Sequence, residues 1–357
     1  MGMLAELVDH VIGVDTHRDS HTAAVLDTNG RVLEELTVPA DAFGYRKLLR
    51  FGAAHPPARR AWAIEGTGSF GAGLATYLLE QGEWVVEVDR PARPARRNGA
   101  KSDELDAARA AKEALSREHL AQPRRRGERE AVRVLLTTRQ GAMTSRTRAI
   151  AHLKALLVSA PEGLRQQFRN QTTTQQVTRC ARLRTSPSQS SEHRCTIMAL
   201  RSTARRVLAL EAEANDLESQ MEMLVKGLAP FLLDEPGIGA VSAAQIICSW
   251  SHPGRLRSEA AFASLAGAAP IPASSGQTVR HRLNRGGDRQ LNRALHTIVL
   301  SRLAHHAETK AYAAHRASQG KTPREIKRCL KRHLARRLFK LLERSPGSAV
   351  SRVSANE

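Results

Sequence analysis

The chain has 357 residues, a formal net charge of +20 and a pI near 10.9. That length allows two or three domains with a sizeable core, and the charge points to a polyanion as partner, nucleic acid ahead of an anionic membrane surface. Four widely spaced cysteines without a C-x-x-C pair fit neither a disulfide framework nor a zinc knuckle, and no apolar run approaches the ~18 residues of a membrane span. The N-terminus lacks the basic flank and apolar core of a signal peptide. The expected setting is cytoplasmic and nucleoid-associated, with no membrane partner.

Residues 11–38 read as three strands: Val11–Val14, then Thr22–Leu26 and Val32–Val38 around Asp27-Thr-Asn29-Gly30. Asn-Gly tolerates positive φ, so that segment predicts a hairpin. A helix is expected over Ala42–Phe51, a strand over Ala61–Ile64, a helix over Phe70–Gln81 and a strand over Trp84–Val88. Three meandering strands followed by alternating strand and helix is the layout of a ribonuclease-H-like fold. In that fold the first and fourth strands lie side by side.

Four carboxylates stand out along this order. Asp15 and Glu65 each close a short apolar run, so they would meet at neighbouring strand ends. Asp103 and Asp106, spaced i, i+3 on an expected helix, share one face. Clustered acids repel unless a cation sits among them, and hard divalent cations prefer oxygen ligands. The pattern suggests a two-metal phosphoryl-transfer site. Lys101, beside the pair, reads equally as a phosphate contact or as a plain surface lysine.

Past the Pro/Arg stretch 91–97, a long basic helix is expected from Arg124 to about Ser159. Residues 169–192, rich in Gln, Thr and Ser, read as a loop or exposed connector. Leu200, Val207, Leu210, Leu217, Met221 and Leu224 predict a helical arm or coiled coil over 196–228, an element suited to assembly. A second compact domain starts near Leu232 and carries Pro236-Gly237-Ile-Gly239, which reads either as a plain helix–helix turn or as a helix-hairpin-helix-like turn whose backbone N–H groups bind phosphate. Helices over Val241–Trp250 and Ser258–Leu265 precede a loop over Ala268–Arg285, and basic helices over Arg289–Ala304 and Pro323–Glu343 follow. Thr322, Pro323 and Glu325 form a capping box for the last one, with Ile326, Leu330, Leu334, Leu338 and Leu341 on its apolar face. Arg/Lys at 324, 328, 331, 332 and 336 are expected on the solvent side.

From Arg280 to Arg344 there are eighteen Lys/Arg against four acids, so the positive surplus is concentrated in the C-terminal part. Arg280, Arg282, Arg285, Arg289 and Arg293 are candidate phosphate contacts. Aromatic residues are scarce, so base stacking is not the expected binding mode. The fourteen histidines show no metal-ligand spacing, and His281 and His296 read as phosphate or structural neighbours.

Gly13-Val-Asp15, Glu65-Gly-Thr-Gly68 and Lys101-Ser-Asp103-Glu-Leu-Asp106-Ala resemble the N-terminal domain of the DEDD insertion-sequence transposases related to the Piv DNA invertase. Pro236-Gly-Ile-Gly239, Phe262-Ala-Ser-Leu-Ala266-Gly267, Ser274-Ser275-Gly276 and Arg285-Gly-Gly-Asp288-Arg-Gln-Leu-Asn-Arg293 resemble that family's C-terminal domain. The resemblance spans nearly the whole chain and is weakest over residues 165–195.

It implies an α/β plus α architecture. A RuvC-like DEDD domain occupies 1–120, a helical linker or coiled-coil arm 121–230, a mostly helical transposase domain 231–345 and a disordered tail 346–357. It further implies Mg²⁺ at Asp15, Glu65, Asp103 and Asp106, two ions, with Mn²⁺ able to substitute. Ser275, or else Ser274, would be the nucleophile. The partners it implies are donor and target DNA, a structured guide (bridge) RNA and further copies of the chain in a dimer or tetramer. The rival from the residues alone is a structure-specific nuclease, resembling a Holliday-junction resolvase, that uses the same acids with water as nucleophile.

Overall fold

The computed structural model describes residues 3–55, 59–88, 102–118, 120–272, 281–284 and 286–344. The chain divides into two compact units, Met1–Arg126 with Gly254–Leu256, and Gly127–Pro253 with Arg257–Glu357.

The first unit is a five-stranded sheet with helices. Its elements are α1 (Leu4–Leu7), β1 (His10–Thr16), β2 (Ser20–Asp27), β3 (Val32–Pro39), α2 (Ala42–Ala53), β4 (Arg60–Glu65), α3 (Ala72–Glu80), β5 (Trp84–Val88) and α4 (Asp103–Leu115). Strand order is β3-β2-β1-β4-β5. The first three strands are antiparallel neighbours, whereas β1–β4 and β4–β5 are parallel. The expected hairpin forms because Asp27 Oδ1 accepts from the backbone N–H of Asn29 (3.0 Å) and Arg31 (2.8 Å), while Gly30 takes φ +81°.

Strands β1 and β4 are buried on both faces, which is why their apolar runs are continuous instead of alternating. One face packs Val11, Ala61, Ala63 and Val86 against Ala107, Ala111 and Ala114 of α4. The other packs Ile12, Trp62 and Ile64 against Leu48 of α2 and Leu74 and Leu78 of α3.

The second unit is mainly helical. It contains α5 (Glu128–Val158), α6 (Glu162–Gln166), α7 (Thr173–Cys180), α8 (Ser191–Leu228), α9 (Ala240–Trp250) and α10 (Glu259–Leu265). A two-stranded hairpin of β6 (Pro270–Pro272) and β7 (His281–Leu283) precedes α11 (Arg289–His305), α12 (Ala307–Ser318) and α13 (Pro323–Arg344). The expected arm exists, and its partner is α5 of the same chain. Arg139 pairs with Glu218 at 2.7 Å and Arg146 with Glu211 at 3.0 Å, so positions rise on one helix as they fall on the other and the two run antiparallel.

Three expectations need correction. Residues 169–192 are not simply a connector, since α7 lies within them. Its Thr172/Gln175 capping box starts it, and Val177 and Cys180 bury against Leu153, Leu164 and Leu200. Burial pushes the Cys180 thiol up to about 11. The loop expected over 268–285 carries the short β6–β7 pairing, set by backbone hydrogen bonding that proline-rich composition conceals. Lys331 is buried, not solvent-facing, and its Nζ donates to Asn292 Oδ1 at 3.1 Å. Helix α12 was not anticipated. The α13 capping box forms as expected, with Thr322 N–H donating to Glu325 Oε2 at 2.8 Å and Glu325 N–H to Thr322 Oγ1 at 3.4 Å.

Candidate metal centre and basic groove

The parallel register of β1 and β4 runs to Val14 opposite Ile64, so Asp15 and Glu65 follow on adjacent strands. Thr16 Oγ1 donates to the Glu65 carbonyl oxygen at 2.9 Å and ties the two strand ends together. Gly66, at φ +69°, then turns the chain toward α3, with Ser69 N–H donating to the Gly66 carbonyl at 2.8 Å.

Helix α4 supplies the other two acids. Ser102 caps it, its hydroxyl accepting from Leu105 N–H at 3.3 Å, so Asp103 and Asp106 fall in the first turn. Anionic side chains there are favoured by the helix dipole. Asp106 Oδ1 accepts from Arg109 at 2.6 Å.

Asp15 is buried, and burial raises its carboxyl above the usual aspartate value. His17 draws it down, while the charges of Asp103, Asp106 and Glu65 each push it further up. An ionised Asp15 in that setting is costly unless a cation compensates. Ligand atoms of Asp15, His17 and Asp103 all lie within 4.8 Å of one another, a grouping able to hold a metal ion. Donor type, burial and crowding of like charge therefore fit a divalent cation.

His17 is the residue that inspection of histidine spacing passed over. It lies two residues beyond Asp15, in the turn that follows β1, and the carboxylate-x-His spacing is the signal that could have found it. Lys101, Ser274, Ser275, Arg280, Arg285 and the segment 346–357 lie outside the described residues.

Within the second unit, α5, α9 and α11 enclose a groove of about 760 Å³, lined among others by Thr144, Arg148, Ser242, Gln245 and Arg293. Among the described residues neither Arg148 nor Arg293 has an ion-pair partner, and both are exposed. Arg282 and Arg289 are likewise exposed, on β7 and at the start of α11.

Four acids of this unit, Glu235, Glu259, Asp288 and Glu325, are engaged internally. Glu235 binds Arg302 and Arg337 at 2.9 and 2.7 Å, and Glu259 holds Arg332 and Arg336 at 3.3 and 2.9 Å. Asp288 caps α11, and the Glu325 carboxylate accepts from Thr322 N–H in the capping box of α13. With those four engaged, Arg148, Arg282, Arg289 and Arg293 stay exposed.

A hydrogen-bond chain backs the groove. Gln140 donates to Gln245 at 3.4 Å, Gln245 to Ser249 at 3.0 Å, and Ser249 to the capping Asp288 at 2.6 Å. Gly237, at φ +78°, sits against α11, where a β-carbon would come 3.2 Å from the Ile298 carbonyl oxygen. Gly239 is the N-cap of α9 and has open space beside its α-carbon. His296 is half-buried, and burial, then Lys331 and Lys327, lower its basicity.

Among the described residues no helix is long and apolar enough to cross a membrane. Residues 12–160 match the family model for DEDD transposases of the IS110 type, described as a transposase. Residues 229–314 match the model described as "Transposase IS116/IS110/IS902 family". Over 144 residues the chain is 29% identical to the "Insertion element IS110 uncharacterized 43.6 kDa protein" of Streptomyces coelicolor, a stretch covering 40% of this chain and 36% of that protein. The match thus spans about a third of the length of that relative. Two family models, matched in chain order and together spanning most of the sequence, agree with the convergence of acids described above: the chain belongs to the IS110-type DEDD transposases.

Proposed function

We propose that this chain is an insertion-sequence transposase that recombines DNA by metal-dependent phosphoryl transfer. The observation that carries the proposal is the crowding of Asp103, Asp106 and Glu65 around a buried Asp15 at the ends of two parallel strands. The first unit is read as ribonuclease-H-like, in keeping with its strand order and mixed pairing. The domain division proposed is 1–120, 121–230 and 231–345, with a tail over 346–357.

Asp15, Glu65, Asp103 and Asp106 would hold Mg²⁺, two ions in this proposal. Bound there, the cations supply Lewis-acid stabilisation of charge on the scissile phosphate. The chain's own residues do the rest. Ser275 is the proposed nucleophile: its Oγ–P bond forms as a P–O bond of the DNA backbone breaks, giving a phosphoserine link that strand exchange then resolves. Arg148 and Arg293 in the groove, with Arg282 and Arg289, would hold nucleic-acid phosphates, supported by their exposure and by the lack of acidic partners among the described residues. Target choice is assigned to a structured guide RNA, because protein contacts to phosphates carry no sequence information. A homo-oligomer is proposed for the active assembly.

The test is a Mg²⁺-dependent reaction on donor and target DNA with the element's flanking RNA, read for a protein–DNA adduct on a denaturing gel. An adduct that disappears in both Ser275→Ala and Asp15→Ala supports the serine recombinase. Cleavage without adduct, unchanged in Ser275→Ala, replaces it with the resolvase-like nuclease that uses water.

A further inference from the structure

We infer that His17 is a nitrogen ligand of the cation held at the end of β1, so that this centre binds Mn²⁺ more tightly than the Mg²⁺ proposed above as its working ion. The inference rests on the metal-dependent function proposed above and deepens it by assigning a donor outside the four acids.

His17 Nδ1 lies 3.7 Å from Asp15 Oδ2 and 3.7 Å from Asp103 Oδ2. That is too long for a hydrogen bond to either oxygen. It suits donors that share an ion, since two ligands with metal bonds of about 2.1 Å stand about 3.0 Å apart when cis and about 4.2 Å when trans. Among the described residues the His17 ring makes no hydrogen bond, and its polar contacts are with these two acids. Its backbone is held, however: His17 N–H donates to the Ser20 carbonyl at 3.0 Å, closing the turn between β1 and β2. The ring is thereby anchored at its root, in the turn just past β1, close both to Asp15 and to Asp103 in the first turn of α4.

The donor type sets the metal preference. Mg²⁺ favours oxygen ligands in a near-ideal octahedron, and a neutral imidazole nitrogen is a poor substitute for one of them. Mn²⁺ accepts carboxylates as Mg²⁺ does and, as a first-row transition metal, also binds nitrogen, though more weakly than Fe²⁺ and the later members, so it tolerates a mixed shell better than Mg²⁺. A centre of Asp15, His17 and Asp103 therefore discriminates between the two cations where an all-carboxylate centre would do so less.

The experiment uses the untagged full-length chain, with Mn²⁺ and Mg²⁺ as probes. Calorimetry measures each affinity, and electron spin-echo envelope modulation of bound Mn²⁺ reads directly whether a nitrogen is coordinated. The expected result is an imidazole ¹⁴N signal in the wild type that is lost in His17→Ala, with Mn²⁺ affinity falling about tenfold or more. Mg²⁺ affinity should change much less. His17→Asp, which restores an anionic donor, should bind Mn²⁺ without the ¹⁴N signal and so shows that the site is still folded. Mn²⁺ binding that requires Asp15 and Asp103 yet has no His17-dependent ¹⁴N signal overturns the inference and leaves the carboxylate site standing. Mn²⁺ bound equally by wild type and Asp15→Asn overturns both.

Discussion

Gly13 of β1 lies against Ala107 of α4 so closely that a β-carbon on the glycine would stand 2.0 Å from the Ala107 carbonyl oxygen and 2.6 Å from the Ala111 backbone nitrogen. Backbone meets backbone there, and no flexible side chain can give way. This contact sets the height of α4 over the sheet, and with it the position of Asp103 and Asp106 relative to Asp15. Gly13→Ala should cost at least the roughly 1–3 kcal/mol of an overpacked core. Metal affinity, measured under conditions where the variant is fully folded, should fall as well because α4 must shift. Urea denaturation together with Mn²⁺ titration checks both.

Asp15→Asn should abolish DNA strand cleavage, by at least about 10²-fold, the scale seen when one charge-stabilising group is removed from an active site. Stability should move the other way in metal-free protein. Burial raises the Asp15 carboxyl, so the folded chain binds that proton more tightly than the unfolded chain. Its contribution therefore grows less favourable as pH rises from the unfolded aspartate value through the folded one. In EDTA at neutral pH the Asn variant should melt above the wild type, and the gap should close as pH falls. Equal melting curves across that range would contradict this account.

Arg148→Ala and Arg293→Ala should each weaken binding to DNA or RNA by a similar factor whatever the sequence. Each should also lower the slope of log K against log salt by about one. Fluorescence anisotropy over a salt series is the measurement. A loss confined to one sequence would assign base readout to the groove instead.

Glu235 is buried between Arg337 and Arg302. Burial by itself would raise its carboxyl, but hydrogen bonds from the two guanidinium groups outweigh it and hold the group below the usual glutamate range. Its stabilisation is thus fully present above the unfolded value of about 4.3 and is lost as pH falls through the lower folded value. Glu235→Gln should cost about 3 kcal/mol at pH 7, since it leaves Arg302, itself mostly buried, without its counter-charge. The difference from wild type should vanish in acid. Chemical denaturation at pH 7 and near pH 3 tests both halves of the expectation.

Much of the first unit was legible because its signals are local. Val11–Val14 and Ala61–Ile64 are continuous apolar runs of the kind that a strand covered on both faces needs, and Asn29-Gly30 supplies the positive φ of the hairpin. The cap at Thr322 and Glu325 was equally readable, since it is written within four consecutive residues. Helix α7 was not: eight residues rich in Thr and Gln become helical because Val177 and Cys180 find a core built by α5 and α8.

The same division holds at the candidate site. The sequence by itself was enough to single out the four candidate acids and the elements that carry them, because strand ends, helix caps and i, i+3 spacing depend on neighbours along the chain. Only the tertiary structure decided that His17 faces Asp103, that the arm α8 pairs with α5, and that Lys331 turns inward to Asn292. Those relations join residues from about 40 to 90 positions apart. Their proximity is set by sheet register, by the close approach of α4 at Gly13 and by side-chain packing, none of which local periodicity encodes.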